Sequence, residues 1–224
     1  MGQKIFVVGM HRSGTSLIAG ILHRLGCELG KPLLMGAKDN PRGHYENKRF
    51  LNINNQMLIK NGGHWRNPPE FPSPTIHLAS SMREFLRGFR GLERAAFKDP
   101  RLCFTFPFWA NMIDENSDRI KVIRTFRPPL LIAKSLKARN RIPINKGLAL
   151  AERYEAAAEK HTKNYDRIFV RFDDLFKGIR RLSAIEEICD FLGINIRNES
   201  GWNKKFYSVY AFIDPDLRHH KEGS

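Results

Sequence analysis

Short runs of consecutive apolar residues recur along the chain, and each is followed by a stretch with helical spacing. Ile5-Phe6-Val7-Val8, Ala95-Ala96-Phe97, Val122-Ile123 and Ile168-Phe169-Val170 are continuous rather than alternating, as strands covered on both faces should be. They predict strands near 3–8, 94–98, 120–126 and 167–172. The 3.6-residue pattern between and after them predicts helices near 15–26, 47–60, 78–89, 129–139, 146–164 and 182–192. Alternation of this kind implies an α/β fold, a three-layer sandwich with a central parallel sheet flanked by helices. The segment from Asn61 to Pro74 is too rich in Gly and Pro for a regular element, so a long loop is expected there, with His64 and Trp65 available to stack on a ring or to pack on the domain.

A chain of 224 residues with 42% hydrophobic content suits one domain with a substantial core. We therefore expect residues 1–224 to form a single domain. The formal charge of +15, from 38 Lys and Arg against 23 Asp and Glu, is spread along the chain and would draw in anionic nucleotides and polyanions. No zinc-finger spacing, RNA-recognition signature or aromatic-basic repeat supports nucleic acid as the partner. Cys27, Cys103 and Cys189 are odd in number and widely spaced, which suggests neither a disulfide scaffold nor a zinc site and fits a reducing compartment. No apolar stretch approaches the roughly twenty residues of a membrane span, and no secretory apolar region precedes the first strand. The expected location is the cytoplasm.

The first apolar run breaks into Gly9-Met10-His11-Arg12-Ser13-Gly14-Thr15-Ser16. Glycines let the backbone curl so that successive N–H groups point inward, and the positive end of the following helix adds to that field. The G-x-x-x-x-G spacing is that of a nucleotide-triphosphate loop, but Thr15-Ser16 stands where such a loop carries Lys followed by Ser or Thr. With a cation at Arg12 instead, the loop suits one phosphate and its substituent better than a triphosphate with magnesium. Phosphate ligands are therefore expected from His11, Arg12, Ser13, Gly14, Thr15 and Ser16.

The loop resembles the 5′-phosphosulfate loop of the sulfotransferases, in which a strand is followed by Lys or Arg, any residue, Gly, and Thr or Ser. Three further segments extend the resemblance. Arg127-Pro128-Pro129 with Ser135 fits the family's R-x-P-x-x-x-x-x-S, whose arginine and serine hold the 3′-phosphate of the donor; Arg124 also ends a strand, but its distance to Ser135 is wrong. Phe97-Lys98-Asp99-Pro100 matches the K-D-P of tyrosylprotein and many bacterial sulfotransferases, in which the lysine lies against the transferring sulfuryl group. Asp99 reads better as a turn or cap before Pro100 than as a catalytic group. Asn40 to Asn47 lies where several carbohydrate and tyrosyl members carry a catalytic glutamate. Glu46 is the favoured base, His44 the next candidate, and the competing reading places Glu46 in a helix first turn where a carboxylate favours the macrodipole. Arg218, in the tail, occupies the place where some relatives close a basic loop over the donor phosphate.

Val170 to Leu175, followed by Ile185, Ile188 and Phe191-Leu192-Gly193, also resembles the family's late strand, acidic turn and "FLG" helix, so the resemblance covers roughly residues 3 to 193. It implies a P-loop NTPase-like sulfotransferase fold and transfer of a sulfuryl group from 3′-phosphoadenosine 5′-phosphosulfate (PAPS) to a hydroxyl or amine, releasing adenosine 3′,5′-bisphosphate (PAP). It calls for no metal. Lys98 and Arg12 would stabilise the charge growing on the leaving oxygen. No motif encodes the acceptor; the basic charge fits an anionic saccharide, with a small metabolite and a peptide tyrosine as equal alternatives. Two other classes compete: a nucleotide kinase-like phosphotransferase, which would need a lysine after Gly14, and a polyanion-binding domain without catalysis.

Overall fold

The computed structural model describes residues 1–34, 36, 43–114, 116–198 and 201–213. Four parallel strands, β1 (Gly2–Val8), β2 (Arg94–Lys98), β3 (Asp118–Phe126) and β4 (Asp166–Arg171), form a sheet in the order β2-β1-β3-β4. Its register sets Phe6 beside Phe97 on one side and Val122 on the other. Around the sheet lie α1 (Thr15–Arg24), α2 (Lys48–Lys60), α3 (Ile76–Arg87), α4 (Leu102–Ala110), α5 (Pro129–Asn140), α6 (Ile144–Thr162), α7 (Gly178–Leu192) and α8 (Lys204–Phe212). A 3-10 turn (Phe172–Phe176) follows β4, and the two-residue strands β5 (Arg197–Asn198) and β6 (Gly201–Trp202) pair antiparallel before α8.

Alternation along the strands divides the apolar side chains between two cores, because successive side chains of a strand point to opposite faces. Phe6, Val8, Phe97 and Val122 meet Phe50, Phe85, Trp109 and Tyr154 on one face. Ile5, Val7, Ala96, Ile123 and Val170 meet Ile18, Leu22, Ile185, Ile188 and Val209 on the other. These two packed faces make the α/β sandwich expected from the continuous apolar runs. All three cysteines are buried free thiols; burial raises Cys27 and Cys189 to about 12 and pushes Cys103 up as well.

Three features lay beyond the periodicity. Helix α4, in a stretch that the apolar pattern leaves unassigned, reads Leu-Cys-Phe-Thr-Phe-Pro-Phe-Trp-Ala and is buried nearly all round, so it has no polar stripe to give a period. Pro107 inside it supplies no N–H to the carbonyl of Cys103 four residues back. The Nδ1 of His161, on α6, lies 2.8 Å from that carbonyl and donates to it. The β5–β6 pair is too short to leave a pattern. Helix α8 is the third such feature; Asn203 caps it, accepting hydrogen bonds from the amides of Lys205 and Phe206.

The long Gly/Pro loop is strapped to α6. Tyr154 Oη donates to the Trp65 carbonyl (2.7 Å), Arg153 Nη2 donates to the Pro68 carbonyl (2.5 Å), and Asn61 exchanges two bonds with Ser73.

Candidate active site

The carboxyl ends of β1, β2, β3 and β4 lie along one edge of the sheet, and the strand order reverses between β1 and β3, the chain leaving β1 for β2 on one side and passing from β2 to β3 on the other. In open parallel sheets such a reversal point is where ligands bind. Each end delivers one of the segments singled out from the sequence.

The loop after β1 is held from below. Ser13 is 1% exposed, and its Oγ donates to the Met10 carbonyl and lies 2.7 Å from Thr125 Oγ1 at the end of β3. That hydroxyl therefore serves the loop's own frame. Gly9 permits this approach, since a Cβ there would fall 2.0 Å from Thr125 Oγ1. Gly14 adopts φ +101°, and a Cβ on it would meet Phe172 Cδ2 at 2.4 Å. Arg12 also takes a positive φ, 71°, a cost for a residue with a side chain. The first turn of α1 then begins at Thr15, with the amides of Leu17 and Ile18 both directed to the Gly14 carbonyl. The amides of Thr15 and Ser16 are among the donors that a helix start leaves without an intrahelical partner, suited to an anion.

Lys98, at the end of β2, is 4% exposed and lies against this turn. Its Nζ donates to Ser16 Oγ (3.0 Å), to the His44 carbonyl (3.3 Å) and to Glu46 Oε1 (2.5 Å). Glu46 lies one residue before Asn47, whose side chain caps α2 by accepting from the amides of Arg49 and Phe50. The carboxylate thus serves an ion pair with Lys98, outside the helix, in place of the macrodipole. Asp99 is fully buried and structural. One of its oxygens accepts from the Arg101 amide and Nη1, and the other accepts from Asn54 Nδ2 at 3.1 Å. Burial raises its carboxyl above the usual range, opposed by the Arg101 guanidinium. Asn54 Oδ1 in turn accepts from Thr105 Oγ1 and Trp109 Nε1, both at 2.8 Å, so this network fixes the end of β2 to α2 and α4.

The third segment meets the first. Arg12 Nε donates to Ser135 Oγ at 2.8 Å, and Arg127 Nη1 donates to the Arg12 carbonyl at 3.1 Å. Arg127 also lies over the Phe172 ring, 4.7 Å from its centroid. Arg124 points elsewhere: its guanidinium is held by Glu155 (2.5 Å) and Glu159 (3.1 Å) of α6. His11 packs on Trp65, 4.7 Å between ring centroids. Burial, joined by the charges of Arg101, Lys98, Arg139 and Arg12, holds its imidazole neutral with a pKa well below the usual value. His11 Nε2 is buried with no hydrogen-bond partner among the described residues. His64 is exposed and bonds its own turn, its Nδ1 accepting from the Arg66 amide. Arg218 lies outside the described residues, as do Asn40, Pro41 and Arg42.

Sequence reasoning missed Arg101 and Phe172 at this edge. Arg101 follows the K-D-P segment directly, and its cation is one of those bearing on His11. Phe172, the first residue after β4, fills the space beneath Gly14; its segment reads in the sequence as a late strand and acidic turn, but no local pattern marks this contact.

No family model matches the chain, and no curated protein matches it by sequence. Solved structures do. The sulfotransferase domain from the Synechococcus PCC 7002 olefin synthase is 18% identical over 96% of this chain and 86% of its own, with a TM-score of 0.51. The sulfotransferase domain from the curacin biosynthetic pathway is 14% identical over 94% of this chain and 78% of its own, with a TM-score of 0.56. A deoxyadenosine kinase from M. mycoides with bound dATP, 17% identical over 85% of this chain and 100% of its own, has a TM-score of 0.45, too distant to carry argument. No helix among the described residues is long and apolar enough to cross a membrane. The chain has the P-loop-like α/β fold of sulfotransferase domains.

Proposed function

We propose that the chain, acting as one domain, is a sulfotransferase that moves a sulfuryl group from PAPS to an acceptor hydroxyl or amine. The observation that carries this reading is the meeting of Lys98, Glu46 and Ser16 within 2.5–3.0 Å at the start of α1, beside the Ser135–Arg12–Arg127 chain of contacts. The fit to the donor rests on that set: helix-start amides and the Gly14 cradle for the 5′-phosphate, and Arg127 with Ser135 for the 3′-phosphate. A triphosphate loop would need lysine where Thr15 stands.

When bound, PAPS supplies a sulfuryl group on a good leaving group. The acceptor oxygen forms its bond to sulfur as the bond from sulfur to the bridging phosphate oxygen breaks, and PAP leaves. Glu46 takes the acceptor's proton, with His44 the alternative base. Lys98 and Arg12 oppose the negative charge growing on the bridging oxygen, which they stabilise more than the ground state. Holding Glu46 and Lys98 as a buried pair keeps both groups desolvated and oriented before either acts. Trp65 and His11 form an aromatic wall beside the loop against which an acceptor ring, a sugar included, can rest. The charge of +15 favours an anionic saccharide or small anionic metabolite.

Titration of PAP and of ATP into the protein, with and without magnesium, tests the reading. Tight metal-independent binding of PAP supports it; magnesium-dependent preference for ATP would overturn it in favour of a phosphotransferase.

A further inference from the structure

A second concave site lies at the opposite end of the sheet, where β1 and β3 begin. It encloses about 860 Å³, with Leu86, Leu92, Met112 and Ile113 among its apolar lining, and Arg83, Arg87 and Arg90 on the side of α3 and the turn that follows it. That volume is within the roughly 300–1,000 Å³ range of small-molecule sites.

Its charges are unevenly answered. The acidic residues of the lining are occupied: Asp118 by Lys4 at 2.7 Å, Glu93 by Arg94 at 2.6 Å, and Asp114 by the Asn116 amide and Ser117 Oγ at 3.0 and 2.9 Å. The bonds from Ser117 and Asn116 hold the Asp114 carboxyl below the usual range, to which Arg90 adds from a distance. The guanidinium groups of Arg83, Arg87 and Arg90 make no hydrogen bond or ion pair among the described residues, and all three residues are exposed. Glu84, the acidic neighbour on the same helix, is taken by Arg49 at 2.8 Å. A cation near a helix C-terminus relieves the macrodipole, which accounts for Arg87, in the last turn of α3. It does not account for Arg83 one turn earlier, because like charges four residues apart oppose the helix.

We propose that this cavity is a binding site for an amphiphilic organic anion, a phosphate or sulfate ester whose head is held by Arg83, Arg87 and Arg90 and whose apolar body rests on Leu86, Leu92 and Ile113. Arginine suits such heads because its planar fork of donors matches tetrahedral oxyanions. The site is separate from the phosphate-binding loop at the other end of the strands, and the inference does not depend on the activity proposed above.

The test is a fluorescence titration of 4-methylumbelliferyl sulfate and 4-methylumbelliferyl phosphate, with uncharged 4-methylumbelliferone as control. The comparison is between the unmodified chain and the Arg87→Ala/Arg90→Ala variant. Saturable binding of at least one ester should weaken by at least about tenfold in the variant, with the weak binding of the phenol unchanged; which ester binds tighter identifies the head group. Arg90→Ala alone, beyond the end of α3, serves if the double variant is unstable and should weaken the same ester severalfold. Absence of saturable ester binding to the unmodified chain, or equal ester affinity in chain and variant, overturns the proposal.

Discussion

Arg127→Ala separates the bracing contact that the structure shows from the 3′-phosphate contact proposed for the same side chain. Arg127 is 4% exposed, its Nη1 donates to the Arg12 carbonyl at 3.1 Å, and its guanidinium lies 4.7 Å from the Phe172 ring centroid. The bond to the carbonyl braces the loop after β1, so its loss should weaken every nucleotide that uses the loop. A bond from a charged donor contributes about 1.5–3 kcal/mol, an upper bound of about 10- to 150-fold for the shared effect. If the same side chain also holds the 3′-phosphate, that charge-assisted contact is lost in addition, with a similar magnitude of about 1.5–3 kcal/mol.

The informative quantity is therefore the ratio of dissociation constants for adenosine 5′-phosphate and PAP, measured by calorimetry on the chain and the variant. Both constants should rise, and the ratio should fall by about 10- to 150-fold. Arg124→Ala is the control. Its guanidinium is spent on Glu155 and Glu159, so it should lower stability and leave the ratio alone. An unchanged ratio in Arg127→Ala would mean that Arg127 only braces the loop and that the 3′-phosphate is held elsewhere.

The other predictions concern the paired charges and the core beneath them. Glu46→Gln should lower sulfuryl transfer by ~10²–10⁴-fold while PAP affinity stays within a few-fold; full activity there with a dead His44→Ala variant would move the base to His44. Lys98→Ala leaves Glu46 buried without its cation, so urea unfolding should show a loss of about 3–5 kcal/mol. Part of that loss should return in Lys98→Ala/Glu46→Gln, and a double variant no more stable than the single one would argue against a buried pair. Asn54→Leu strands Asp99 Oδ2 and Trp109 Nε1 and should cost about 2–6 kcal/mol at about 1–3 per buried group; a loss below about 1 kcal/mol would sink this account of the network. Because burial and nearby cations lower the pKa of His11 from 6.5, its neutral form favours folding above pH 6.5, and that contribution fades as pH falls below it. The unfolding free energy should thus drop less between pH 7.5 and 5 in His11→Asn than in the unmodified chain, by up to about 1.4 kcal/mol per pH unit below pH 6.5; parallel pH profiles would refute it.

What the sequence made legible follows from where its information is local. Strands β1 to β4 were readable because each is a continuous apolar run, and the loop after β1 because glycine spacing constrains a backbone directly. Helix α4 was hidden by the opposite condition: a segment apolar on every side has no period, and Pro107 argues against a helix until His161 is seen satisfying the carbonyl it leaves open. The site residues at strand ends were nameable one by one, but their partners were not. Lys98 and Glu46 are 52 positions apart, and Arg12 and Ser135 are 123 apart. Only the order β2-β1-β3 brings them to one edge. The same order explains why the two elements proposed to hold the donor's phosphates are in contact. Since β3 lies directly beside β1, Arg127 at the far end of β3 reaches the carbonyl of Arg12, while Arg12 reaches back to Ser135 on α5. A phosphate bound at either element would act on a loop whose geometry the other element helps to set, so a substitution at one should change affinity for the ligand of the other.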